Sequence, residues 1–193
     1  MKWRSVTMVV SALVLAGSGW LVTGCGGGGG GGGPTTPPPV NPPSSISFSP
    51  DSSAGSNSIY LSTGQGGSGS LFVLDVDTQS VTDLYGASFV LEYPNNLLAF
   101  RKKSESEGSF LSDGGEFRTD LQVKQRTPGE ITVGITRLGE VPGASGSGTL
   151  LSLEFTRRSV GSGPMEMVQH NALDQYGVVQ ADVTWIGGSV TVR

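Results

Sequence analysis

The sequence predicts an all-β fold, a two-sheet antiparallel β-sandwich with jelly-roll topology, on three observations. First, the 193 residues include 31 Gly and 11 Pro, and only 15% are charged, a composition that suits strands and turns and disfavours helix bundles and coiled coils. Second, past residue 45 the chain runs in short apolar-alternating stretches, with turn signals every ~8 to 15 residues. Third, no stretch keeps a helical period over about ten residues, so there are no helices to form crossovers. Each strand must then bury its one apolar face against a second sheet.

The first element is an export segment, residues 1–24. A cationic start (Met1 to Arg4) precedes an apolar run from Val6 to Ala16. That run has the length of a signal-peptide core and falls short of the ~20 apolar residues of a spanning helix. Leu21-Val22-Thr23-Gly24-Cys25 follows, and it resembles the lipobox of bacterial lipoproteins. The resemblance implies that Cys25, the chain's one cysteine, is diacylated and becomes the new N-terminus. The protein is then anchored to a membrane through lipid on Cys25, at the outer membrane where the cell has two. Loss of Lys2 and Arg4 leaves ten basic residues against sixteen acidic ones, so the formal charge moves from −4 to −6. Such an acidic chain cannot neutralise phosphates, which excludes nucleic acid as a partner.

Residues 25–45 are the lipidated cysteine and a linker. An unbroken glycine tract to Gly33 gives flexible coil, and the proline-rich stretch from Pro34 gives a stiffer spacer, so neither buries a core. Residues 46–193 form the folded domain. About 148 residues suffice to bury roughly two thirds of the unfolded surface. Strands are predicted at Ile46 to Ser49, Leu71 to Asp77, Tyr85 to Tyr93, Leu98 to Lys102 and Phe117 to Gln125. Further strands are predicted at Glu130 to Leu138, Thr149 to Thr156, Pro164 to Gln169, Val178 to Val183 and Gly188 to Val192. Alternation is clearest in Phe72, Leu74, Val76; in Phe89, Leu91, Tyr93; in Ile131, Val133, Ile135; and in Leu151, Leu153, Phe155. These sets are the expected core. The Gly/Ser run from Gly143 to Gly148 supplies a turn into the strand that follows.

Four segments carry a family resemblance: Asp83 to Tyr93 with Leu97-Leu98, Gly129 to Gly139, Gly143 to Phe155, and the closing Trp185 to Val192. In order and across the whole domain, they resemble cohesin domains. That resemblance implies a non-enzymatic jelly-roll module, similar in fold to some carbohydrate-binding modules. Its partner would be a dockerin-type domain of another protein, such as a polysaccharide-degrading enzyme, recruited here to the cell envelope. The implied docking face is one sheet surface built from the strands containing Phe89, Gln122, Val133 and Leu153. Its candidate contact residues are Ser88, Val90 and Glu92; Asp120, Gln122 and Lys124; and Thr132, Thr136 and Leu138. Gly86, Arg118, Gly134, Leu150, Ser152 and Glu154 point the same way by alternation. Gly86 and Ser88 stand where cellulosomal cohesins offer amide and acidic side chains. Pro94-Asn95 replaces the family's Asp-Pro. A polysaccharide is the alternative partner, and a structural envelope domain is a further reading.

Signals for other chemistry are weak. Gly64-x-Gly66-x-x-Gly69 spells a dinucleotide fingerprint, but a strand follows it instead of a helix N-terminus, so it reads as a loop. His170 is the one histidine, and no nucleophile elbow surrounds any serine. Glu105, Glu107, Asp113 and Glu116 crowd a polar loop that lacks the apolar setting a general acid needs. Asp75, Asp77 and Asp83 flank a hairpin with no EF-hand spacing. Trp185, with scattered Tyr60, Tyr85 and Tyr176, makes no row of aromatics for sugar stacking. No cofactor and no metal is expected.

Overall fold

The computed structural model describes residues 45–193. The signal peptide, Cys25 and the linker up to Ser44 lie outside the described residues. Within them the strands are β1 (Ile46–Pro50), β2 (Ser58–Thr63), β3 (Leu71–Leu84), β4 (Gly86–Glu92), β5 (Leu98–Phe100) and β6 (Ser106–Glu107). They continue with β7 (Thr119–Thr127), β8 (Glu130–Arg137), β9 (Ala144–Arg157), β10 (Gly161–Leu173), β11 (Thr184–Ile186) and β12 (Gly188–Val192). One helical turn, α1 (Ser109–Ser112), runs into a 3-10 turn at Asp113–Gly115.

Two sheets form, in the orders β1-β12-β10-β4-β8-β7 and β11-β2-β3-β9-β5, with β6 also pairing β9. The chain passes from one sheet to the other at nearly every connection. Only the β2-β3 and β7-β8 hairpins and the β5-to-β6 link stay within a sheet, a winding that suits the jelly-roll expectation. All pairings are antiparallel except β11 on β2, a parallel contact outside the antiparallel expectation.

Alternation places the core between the sheets. Ala87, Phe89 and Leu91 pair with Ile135, Val133 and Ile131 on the inner face of one sheet. Leu74 and Phe72 pair with Leu153 and Phe155 on the other. All ten are buried. Phe155 sits at the centre of an aromatic group, with ring centroids 5.1 Å from Tyr93, 5.7 Å from Phe100 and 6.3 Å from Phe72. Tyr93 keeps its hydroxyl satisfied by accepting a 2.8 Å bond from Gln125 Nε2.

Several expectations need correction. No strand forms at Val178 to Val183. The Asp174 carboxylate accepts the backbone N–H groups of Tyr176 and Val178, each at 2.8 Å, and Gly177 adopts φ 76°, so this stretch is a turn with Val178 and Val179 exposed. Ordered pairing resumes at Thr184. β2 and β6 escape the sequence reading because β2 offers only Ile59-Tyr60-Leu61 between turn-forming residues, and β6 is two polar residues long. β3, β9 and β10 extend well beyond their predicted bounds. Leu150 is fully buried, not outward: the register between β3 and β9 slips at Val76/Asp77, so Leu150 and Leu151 both turn inward.

Candidate functional site

The outer face of the β10-β4-β8-β7 sheet is a grid fixed by register. Its rows are Glu166, Glu92 and Glu130; then Val168, Val90, Thr132 and Lys124; then Asn171, Ser88, Gly134 and Gln122; then Leu173, Gly86, Thr136 and Asp120. Beyond the end of β8, Leu138 donates its N–H to Arg118 O at 2.8 Å and extends the ladder. The nine candidate contact residues, Ser88, Val90, Glu92, Asp120, Gln122, Lys124, Thr132, Thr136 and Leu138, therefore share this surface. Alternation alone put them there, since β4, β7 and β8 keep their period of two across it.

Two features differ from the sequence expectation. Ser152 and Glu154 do not belong to this surface, because β9 lies in the opposite sheet. There Ser152 donates to Asp75 and Glu154 forms an ion pair with Arg101. Val90 points outward yet is only 8% exposed, covered between Val168 and Thr132 on the neighbouring strands. β10 supplies residues that the sequence reading left out of the face: Glu166, Val168 and Asn171. The alternation of Glu166 and Val168 with buried Met165 and Met167 was the available signal; what was not available was that β10 lies beside β4. A bulge between Val168 and Asn171, with Gln169 at φ 50°, then restores the outward direction of Asn171.

The centre of the face is shallow and apolar for a reason visible in the sequence. Gly86 and Gly134 carry no side chain, and a depression of about 240 Å³ opens there, rimmed by Ser88, Gln122, Asp120, Thr136 and Leu173. A Cβ at Gly134 would meet nothing within 4 Å. Gln122 Nε2 donates to Asp120 Oδ1 at 3.0 Å, which holds that rim. The Thr132 hydroxyl is enclosed without a hydrogen-bond partner among the described residues. Leu138, 41% exposed, ends the face.

The weaker signals fall apart in space. Asp75 and Asp77 take hydroxyl donors from Ser152, Ser62 and Thr149, whereas Asp83 accepts the Gly143 N–H at 3.0 Å. Burial raises the Asp75 pKa, the Ser152 hydrogen bond opposes the shift, and the charge of Asp77 adds to it least. Burial and Asp77 likewise raise that of Tyr60. Glu107 accepts from Thr119, and among the described residues the acidic side chains gather into no cluster of three or more. His170 stacks on Trp185 at 4.7 Å, and Trp185 packs against Phe89, so this tryptophan belongs to the core edge. The Gly64 to Gly69 stretch is the loop expected, with Gly66 and Gly69 at positive φ before β3.

The domain is similar in structure to cohesin modules. A non-cellulosomal cohesin from the hyperthermophilic archaeon Archaeoglobus fulgidus aligns at TM-score 0.53 and 22% identity, over 70% of this chain and 89% of that one. The second type II cohesin module from the adaptor ScaA scaffoldin of Acetivibrio cellulolyticus aligns at 0.59 and 14%, over 71% and 91%. The sixth cohesin of scaffoldin B from the same organism, solved in complex with a dockerin, aligns at 0.53 and 17%, over 68% and 97%. No family model matches the sequence, and no curated relative does. Residues 45–193 are thus a domain with the cohesin-like fold.

Proposed function

We propose that this protein is a lipid-anchored docking module that holds a dockerin-type domain of another protein at the cell envelope, without catalysis of its own. The observation that carries the reading is the outer face of β10-β4-β8-β7: a four-stranded surface with a side-chain-free depression at its centre and polar residues around it. Such an arrangement suits a protein partner, because an apolar centre inside a polar rim is the usual anatomy of a protein interface. The row of Glu92, Glu130 and Glu166 gives one end of the face an acidic character, so a partner with basic side chains there gains on-rate and register. Several similar cohesins were solved with dockerins, which supports the same partner class. The anchor rests on the lipobox and Cys25.

Gly134→Arg tests the face. The site has open space at its Cβ and no left-handed φ, so the fold tolerates the change to within about 0.5 kcal/mol. The long side chain fills the depression. Calorimetry against a panel of dockerin domains, with soluble polysaccharides run alongside, should show dockerin binding by the wild type and at least tenfold weaker binding by the variant. Equal binding by both proteins would remove the docking surface from this face. Polysaccharide binding with no dockerin binding would favour a carbohydrate-binding module instead.

A further inference from the structure

Arg137 is the last residue of β8, at the inward position of the series Ile131, Val133, Ile135, and it is only 4% exposed. Buried guanidinium groups are ordinarily paired with a carboxylate, because an unpaired charge inside a protein is costly. Arg137 has no such partner: the ion pair found among the described residues is Arg101 with Glu154. Nε donates to Leu111 O at 2.7 Å, one Nη1 proton goes to Pro142 O, and the guanidinium lies 4.3 Å over the Phe117 ring. Two of its five N–H donors are thereby used. The others meet no acceptor among the described residues.

Arg137 also lines a cavity of about 560 Å³ between the α1 turn and the start of β9. Ser109, Ser145 and Ser147 share that lining. The Ser145 and Ser147 hydroxyls accept the backbone N–H groups of Asp83 and Ser80, so each keeps its proton free to donate. Phe110 supplies an apolar wall, and exposed Asp113 stands on the rim without bonding to Arg137. A cationic guanidinium, three serine hydroxyls and one ring wall sharing one lining together complement a small molecule bearing a carboxylate, several hydroxyls and an apolar ring face.

We propose that this cavity binds a hexuronate, an acidic sugar whose carboxylate neutralises Arg137 while its hydroxyls meet the serines. The site is separate from the docking reading and does not depend on it. Sodium glucuronate titrated into the isotope-labelled full chain should give saturable NMR shifts confined to residues 109–117, 137 and 142–148. Glucose should bind at least tenfold more weakly for want of the carboxylate, and acetate at least tenfold more weakly for want of the ring. Ser109→Glu sets a resident carboxylate beside Arg137 from an exposed position, and should weaken glucuronate at least tenfold without lowering the melting temperature. Arg137→Gln should abolish binding; if that variant fails to fold, Ser109→Glu alone carries the test. Absence of saturable shifts, equal binding of glucose or acetate, or unchanged affinity in Ser109→Glu would each overturn the assignment.

Discussion

Phe155 shows how much of this domain rests on single side chains. It is fully buried and meets three aromatic rings from β3, β5 and the end of β4, so no neighbour can relax fully into the space it fills. Phe155→Ala and Phe89→Ala should each cost about 3–5 kcal/mol in chemical denaturation, and losses under about 1 kcal/mol at both would contradict the packing. Asp75 works the other way. Its pKa is raised by burial and by Asp77, so the folded state holds the proton more tightly than the unfolded chain does. Stability from this group is therefore fullest below the unfolded carboxylate pKa and falls as pH rises through the folded value. Asp75→Asn keeps an acceptor for Ser152 and removes the titration. Its melting temperature should equal or exceed that of the wild type near neutral pH, and the difference should shrink on acidification. A variant less stable at neutral pH would show that the carboxylate is a net asset.

At the scale of elements, the segment from β6 through α1 is held against β9 by the β6 pairing, by buried Leu111 and by a close approach at Gly108. Gly108 donates its N–H to Leu150 O at 2.8 Å, and a Cβ there would lie 2.0 Å from Thr149 O. No L side chain fits. Gly108→Ala should lift residues 106–115 from β9 and raise their amide exchange at least tenfold, with β3-β9 protection retained; unchanged exchange would mean that the segment is held elsewhere. The element also shows where alternation stops being a guide. Period two assigned Phe89, Val133 and Leu153 inward and Ser88, Thr132 and Gln122 outward, and the structure agrees at each. It misplaced Leu150 because the bulge in β9 shifts the parity by one residue, and nothing in Gly148-Thr149-Leu150-Leu151 announces that shift.

For the whole molecule, the described domain contains no helix long and apolar enough to cross a membrane. The proposed membrane association rests on the lipid expected on Cys25. On the lipoprotein proposal, Cys25→Ser should abolish fatty-acid labelling and release the protein from membranes, because the acyl chains, at ~0.8 kcal/mol per buried CH₂, are the anchor. Label and membrane partitioning retained in the variant would refute the lipoprotein reading. The same experiment leaves the docking face untouched.

The sequence by itself determined the all-β class, the inward apolar sets read on β3, β4, β8 and β9 and the outward sets of β4, β7 and β8, since composition and a two-residue period are local properties of the chain. Arg137 continues the inward series of β8, a signal that the sequence analysis did not use, and its burial was found only in the structure. Only the tertiary structure decided which strands are neighbours: that β10 joins β4 on the candidate face, that β9 carries Ser152 and Glu154 to the other sheet, and that Val90 is covered although it points outward. The physical reason is that period two fixes the side of a strand on which a residue lies, whereas hydrogen bonds between distant segments fix which strand lies beside it and what covers that side.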